Sequence, residues 1–192
     1  IVSDKDFDSN LLLIEGTSSP DRQGLQLVDS DTSQFEGQIF WINFGNEQDL
    51  TYKGPVTIDR IDSPAYKAPD NFIGQEDFIK SYVIDQLNDT FGIYGVAFTL
   101  DKPISDPEYS TIYVGGNDSQ FSEYGSFLGL AEQVDIGNKD RNDNAFVFSD
   151  NFNVRYTGIE EYAETLFTNI VHEASHLLGY KHATIIPELS EP

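Results

Sequence analysis

The sequence predicts an α+β fold: a twisted mixed β-sheet carrying two main helices. Three observations predict it. Apolar residues recur at helical spacing in two long segments, 75–91 and from 157 onward. Short runs rich in β-branched and aromatic residues, bounded by Gly, Asp, Asn and Pro, read as strands. The order is strand, helix, four strands, helix, which a sheet covered by helices accommodates.

Residues 1–36 are polar and rich in Asp and Ser, and read as an N-terminal extension with little regular structure. Gln38–Phe44 then reads as a buried strand. The stretch 46–66 holds Gly54-Pro55 and Ser63-Pro64, so it reads as loop with a short strand at Val56–Ile58. In the first helix, Phe78, Ile79, Tyr82, Val83, Leu87 and Phe91 form the apolar face, and Gly92 and Gly95 end it. Val96–Leu100, Thr111–Val114, Leu128–Val134 and Ala145–Phe148 follow as short strands. The last helix starts near Thr157, where Thr157-x-x-Glu160 fits a capping box. Ile159, Tyr162, Ala163, Leu166, Phe167, Ile170, Val171 and Ala174 make its apolar stripe. Residues 37–192 therefore read as one domain whose C-terminal part is short or truncated.

Composition narrows the function classes. The 192 residues are 39% hydrophobic and 13% aromatic, enough for a packed core. A net charge of −22 disfavours nucleic acid and anionic membrane as partners. No apolar run is long enough to insert in a membrane. There is no cysteine, so disulfides and thiolate ligands are excluded. The acidity suits a secreted, extracellular setting rich in cations. A chain that lacks methionine and begins at Ile1 reads as a processed or trimmed form.

The chemistry concentrates in 172–182, which reads H-E-x-x-H-x-x-G-x-x-H. The three histidines of the chain, His172, His176 and His182, are its three ligand positions. His172 and His176 are four apart, so a helix puts them on one face. Gly179 can take the left-handed conformation that ends the helix and returns His182 toward them. Three imidazoles bind zinc at about 2.0–2.1 Å and leave a fourth position for water, the catalytic arrangement. Glu173 is then placed as general base for that water. Metal affinity should fall on acidification, because ligating imidazoles must be neutral and free histidine titrates near 6.5. An intact metal site without catalysis is the plainer alternative.

This extended motif resembles that of the metzincin clan of zinc endopeptidases, and residues 37–182 look most like a matrixin-type catalytic domain. The resemblance implies a secreted enzyme that hydrolyses peptide bonds in a peptide or protein substrate. It also implies that Gly129-Leu130-Ala131 lies on an edge strand that pairs with the substrate; an ordinary strand or loop is the other reading. The run from Gly125 to Ser149 is similar to domains of large secreted bacterial proteins. Metzincins carry a methionine turn beneath the zinc, whereas this chain has only Ala183–Pro187, with Ile185 in the methionine's place. A cysteine switch is excluded. Asp29 or Asp31 could cap the metal, although solvated acidic residues are the favoured reading.

The loop 135–144 is dense in hard oxygen donors, which suits Ca2+ as a second cation. It equally suits a turn-rich loop with Asx caps. The rival to the enzyme is a non-catalytic, calcium-stabilised extracellular binding or adhesion module with a residual zinc site.

Overall fold

The computed structural model describes residues 24–104, 108–152 and 156–183. Among these residues, nine strands and two α-helices follow one another in chain order. Leu25–Leu27 is β1, Ile39–Asn43 β2, Glu47–Lys53 β3 and Thr57–Ser63 β4. Helix α1 spans Glu76–Phe91 and is followed by β5 at Ala97–Thr99 and β6 at Ser110–Val114. Then come β7 at Gly129–Ala131, β8 at Asn144–Val147, α2 at Ile159–Leu177 and β9 at Tyr180–His182. The protein is α+β with mixed sheets and two helices.

The main sheet has the order β5-β2-β6-β8-β7. Its first four strands run parallel, and β7 pairs antiparallel with β8 at one edge. Alternate residues of a strand face opposite sides, and β8 shows the consequence. Ala145 and Val147 join the core beneath the helices, whereas Phe146 joins a second aromatic cluster on the other face. In the helix-side core, Ile79, Val83, Leu87 and Phe91 of α1 meet Leu166, Ile170 and Ala174 of α2 over Phe40, Ile42 and Ile112. In the second cluster, Tyr52 and Ile61 pack on Phe121, Phe127, Phe146 and Phe148.

Those last contacts overturn the expectation of a loop at 46–66. β3 and β4 form an antiparallel hairpin that covers the sheet face opposite the helices. Its alternation is broken by register shifts, with Asp49 and Arg60 at φ 55° and 61°. These irregularities hid the period-2 pattern, and Gly54-Pro55 proved to be its turn. The expected lack of regular structure in 1–36 also fails over its described part. β1 pairs with β9, Leu25 and Phe35 are buried in the helix-side core, and 32–35 forms a 3-10 turn. A single apolar pair in a polar stretch gives no periodic signal, yet it suffices when a partner strand waits.

Smaller differences concern ends and faces. The 128–134 strand contracts to Gly129–Ala131, and just past it the Glu132 carboxylate accepts from the N–H groups of Lys53 and Asn144. On α1, Phe78 is exposed and Tyr82 lies at the margin, donating from its hydroxyl to Glu164 at 2.7 Å. The capping box is displaced by one residue: Thr157 donates from its N–H and hydroxyl to Glu161, not Glu160. Gly158 occupies the N-cap of α2, and Glu160 and Glu161 complement the helix dipole in its first turn.

Candidate metal centre

The centre is assembled by how α2 ends. Thirteen residues of α2 are buried, a broad apolar and small-residue face that seats the helix rigidly. His172 and His176 project one turn apart from its last part, 6% and 8% exposed. The Leu178 N–H closes the helix onto Ala174 and Ser175, and the Gly179 N–H donates to the His176 carbonyl. Gly179 then turns the chain at φ 91°. A side chain there would also collide: a Cβ would stand 2.9 Å from the Asp135 carbonyl oxygen and 3.1 Å from the Ile136 Cα. The glycine thus satisfies a dihedral and a close backbone approach at once.

After that turn, β9 runs out beside β1, with Leu25 opposite His182 and Leu27 opposite Tyr180. The ladder is extended by the Val28 N–H donating to Gly179 and the Ala183 N–H donating to Gly24. His182 is therefore placed by main-chain pairing to the N-terminal strand, which the sequence did not reveal.

The three imidazoles converge. Their ring centroids are 4.7, 5.0 and 4.9 Å apart, and their ligand atoms lie within 4.8 Å of one another. Nε2 of His172 and Nε2 of His176 are 3.1 Å apart. Two nitrogens bound to one tetrahedral zinc would stand about 3.3 Å apart, from the usual bond length. His176 donates from Nδ1 to the Tyr180 carbonyl at 2.8 Å, which fixes the tautomer and leaves Nε2 with its lone pair. The backbone of β9 thus orients one ligand while carrying another.

Electrostatics favour the neutral ligand form. Burial, then the adjacent imidazoles, lowers the His172 pKa to about 3. Burial and His182 take His176 down to about 4, against the opposing bond to Tyr180. Their protonation therefore lies well below the ordinary histidine range, which moves the expected acid release of metal downward.

Glu173 is 2% exposed and lies against Gly129 of the edge strand. A Cβ on Gly129 would overlap Oε1 of Glu173 and stand 2.7 Å from its Cδ and Cγ. The motif helix and β7 are therefore in direct contact at Glu173. Ladder bonds run from the Glu132 N–H to Asn144 and from the Phe148 N–H to Leu128. By alternation, Leu130 turns its backbone toward β8, while Gly129 and Ala131 turn theirs to the free side. Part of that side is occupied: the Tyr52 hydroxyl donates to Ala131 O at 3.1 Å, and the Lys53 N–H donates to Glu132 at 2.7 Å. Burial, then Glu132 and Glu173, pushes Tyr52 up to about 12. Tyr52 escaped sequence reasoning because its hairpin did.

The acidic loop serves the centre from below. The Asp135 N–H donates to the His176 carbonyl, and Arg141 donates to the carbonyls of Gln34 and Glu36. Asp135 accepts from the Asp140 N–H, and Asp140 accepts from the Asn142 N–H. Asp143 accepts from the Ser110 hydroxyl at 2.6 Å, and burial raises its pKa to about 7. Among the described residues, His172, His176 and His182 form the single group of three such side chains close enough to share an ion. In the loop, carboxylates of Asp135 and Asp140 accept from backbone N–H groups and so cap turns. Asp29 and Asp31 are likewise engaged locally, with Gln34 and Ser33. Ile185 lies outside the described residues.

Comparison with protein-family models, with curated proteins and with solved structures returned no match to this chain.

Proposed function

We propose that this chain is a secreted zinc-dependent endopeptidase of metzincin type, with a matrixin-like catalytic domain. The observation that carries the reading is the 3.1 Å Nε2 separation of His172 and His176, with His182 beside them and Glu173 on the same helix turn. Three neutral nitrogen donors without thiolate suit Zn2+ with a position left open. Bound zinc supplies a Lewis acid that polarises the scissile carbonyl and acidifies water.

The chain's own residues do the rest. Glu173 accepts the water proton and delivers it to the leaving amine, a role for which its burial against Gly129 holds it in place. The outward backbone of Gly129 and the Ala131 N–H offer main-chain bonds to an extended peptide. Leu130 contributes its side chain to the hairpin cluster, and its backbone belongs to the sheet. No helix among the described residues is long and apolar enough to cross a membrane.

The test is cleavage of casein by the zinc-loaded protein. Cleavage should be abolished by a chelator and restored by zinc. Absence of cleavage by a fully zinc-loaded chain would favour the non-catalytic binding module.

A further inference from the structure

A cleft of about 540 Å3 lies at the opposite end of α2 from the histidines. Tyr162 lines it, ten residues before His172, which is roughly 15 Å along a helix at 1.5 Å per residue. The cleft opens beyond the carboxyl ends of β2, β6 and β8. The Tyr66 N–H, just after β4, donates to the carbonyl of Phe44, just after β2, and the Asp150 N–H, after β8, donates to Gly116, after β6. The strands that follow β2 in the sheet, β5 and β6, lie on its two sides, so the strand order reverses there.

Its chemistry is specific. Asp70, Glu76 and Asp150 face the cleft against the single ammonium of Lys67. The Tyr66 and Tyr162 hydroxyls bond to each other, and Glu76 acts on the Tyr66 phenol while Asp150 acts on that of Tyr162. Ser149 lines the same cleft, is 6% exposed, and its Oγ has no hydrogen-bond partner. A buried hydroxyl without a partner destabilises the fold unless something bonds it. Ile73 and Phe152 supply apolar wall, and Ile73 is 69% exposed. The three carboxylates do not close on one point as metal ligands would.

We propose that this cleft is a second binding site, for a guanidinium or ammonium group on an aliphatic stem, as in an arginine or lysine side chain. The carboxylates take the charge, the Ser149 hydroxyl accepts a hydrogen bond from it, and the stem lies on Ile73 and Phe152. The site is independent of the metal centre.

Calorimetric titration of N-acetyl-arginine amide into the full zinc-loaded chain tests it, with N-acetyl-norleucine amide and calcium alone as comparisons. The arginine amide should bind saturably and at least tenfold more tightly than the norleucine amide. Glu76→Gln with Asp150→Asn should weaken it at least tenfold, and Ser149→Ala about threefold, with unchanged circular dichroism. Asp150→Asn alone, a change at an exposed position, should weaken it in the same direction. His172→Ala should leave it unaltered. No saturable binding, equal binding of the two amides, binding of calcium alone, affinity indifferent to the carboxylate variants or loss on His172→Ala would each overturn the proposal.

Discussion

Replacing Gly179 by alanine tests whether the turn after α2 is held by backbone contact as well as by its dihedral angle. Gly179 and Gly74 have nearly the same φ, 91° and 85°. A Cβ at Gly74 meets nothing within 4 Å, whereas at Gly179 it meets the Asp135 carbonyl at 2.9 Å and the Ile136 Cα at 3.1 Å. Both substitutions force an alanine into the left-handed region, at about 1–2 kcal/mol. Only Gly179→Ala adds an overlap with backbone, which costs a further ~1–3 kcal/mol in a packed setting. Urea denaturation of the metal-free variants should therefore place Gly179→Ala about 1–3 kcal/mol below Gly74→Ala. Gly179→Ala should also weaken zinc binding, since the displaced turn carries His182, while Gly74→Ala should not. Equal losses of stability, with equal zinc affinity, would refute the close-approach argument.

Other perturbations read other parts of the account. Gly129→Ala should lower casein cleavage at least tenfold while zinc content stays at one per chain, because the new methyl displaces Glu173 and not the ligands. Leu25→Ala should cost about 2–5 kcal/mol as a buried leucine truncation, and zinc titration should show weaker binding as β1 loosens from β9. Asp143 has a folded pKa near 7, raised from 3.8 by burial, so the fold binds an extra proton between those values and loses stability as pH rises through them. Asp143→Asn removes that ionisation while keeping an acceptor for Ser110. Its stability relative to wild type should improve from pH 4 to pH 8 by up to about 4 kcal/mol, the three-unit limit. A gap that does not change with pH in paired urea titrations would contradict it.

The sequence carried the centre because its information was local. A helical stripe, a spacing of four and a glycine are all set by nearest-neighbour geometry, and Ile170, Ala174, His172 and Gly179 lie where that geometry requires. What remained illegible depended on distant partners. β1 exists because β9 offers it a ladder, and Leu25 gains its burial from residues about 150 positions away. The hairpin was masked because two left-handed residues break its alternation, although Tyr52 and Ile61 then fill an aromatic cluster. Asp135 accepts from the Asp140 N–H and Asp143 from the Ser110 hydroxyl, partners that the loop's residue types do not name. Composition indicates how many carboxylates there are, but not which donors reach them.

The most direct measurement compares casein cleavage by wild type and Glu173→Ala at equal, verified zinc content. The account predicts zinc bound to both proteins and a fall in kcat/KM of about 10²–10⁴ in the variant, the usual contribution of a general base. Equal cleavage by the two proteins, or no cleavage by either, with one zinc in each, would contradict it.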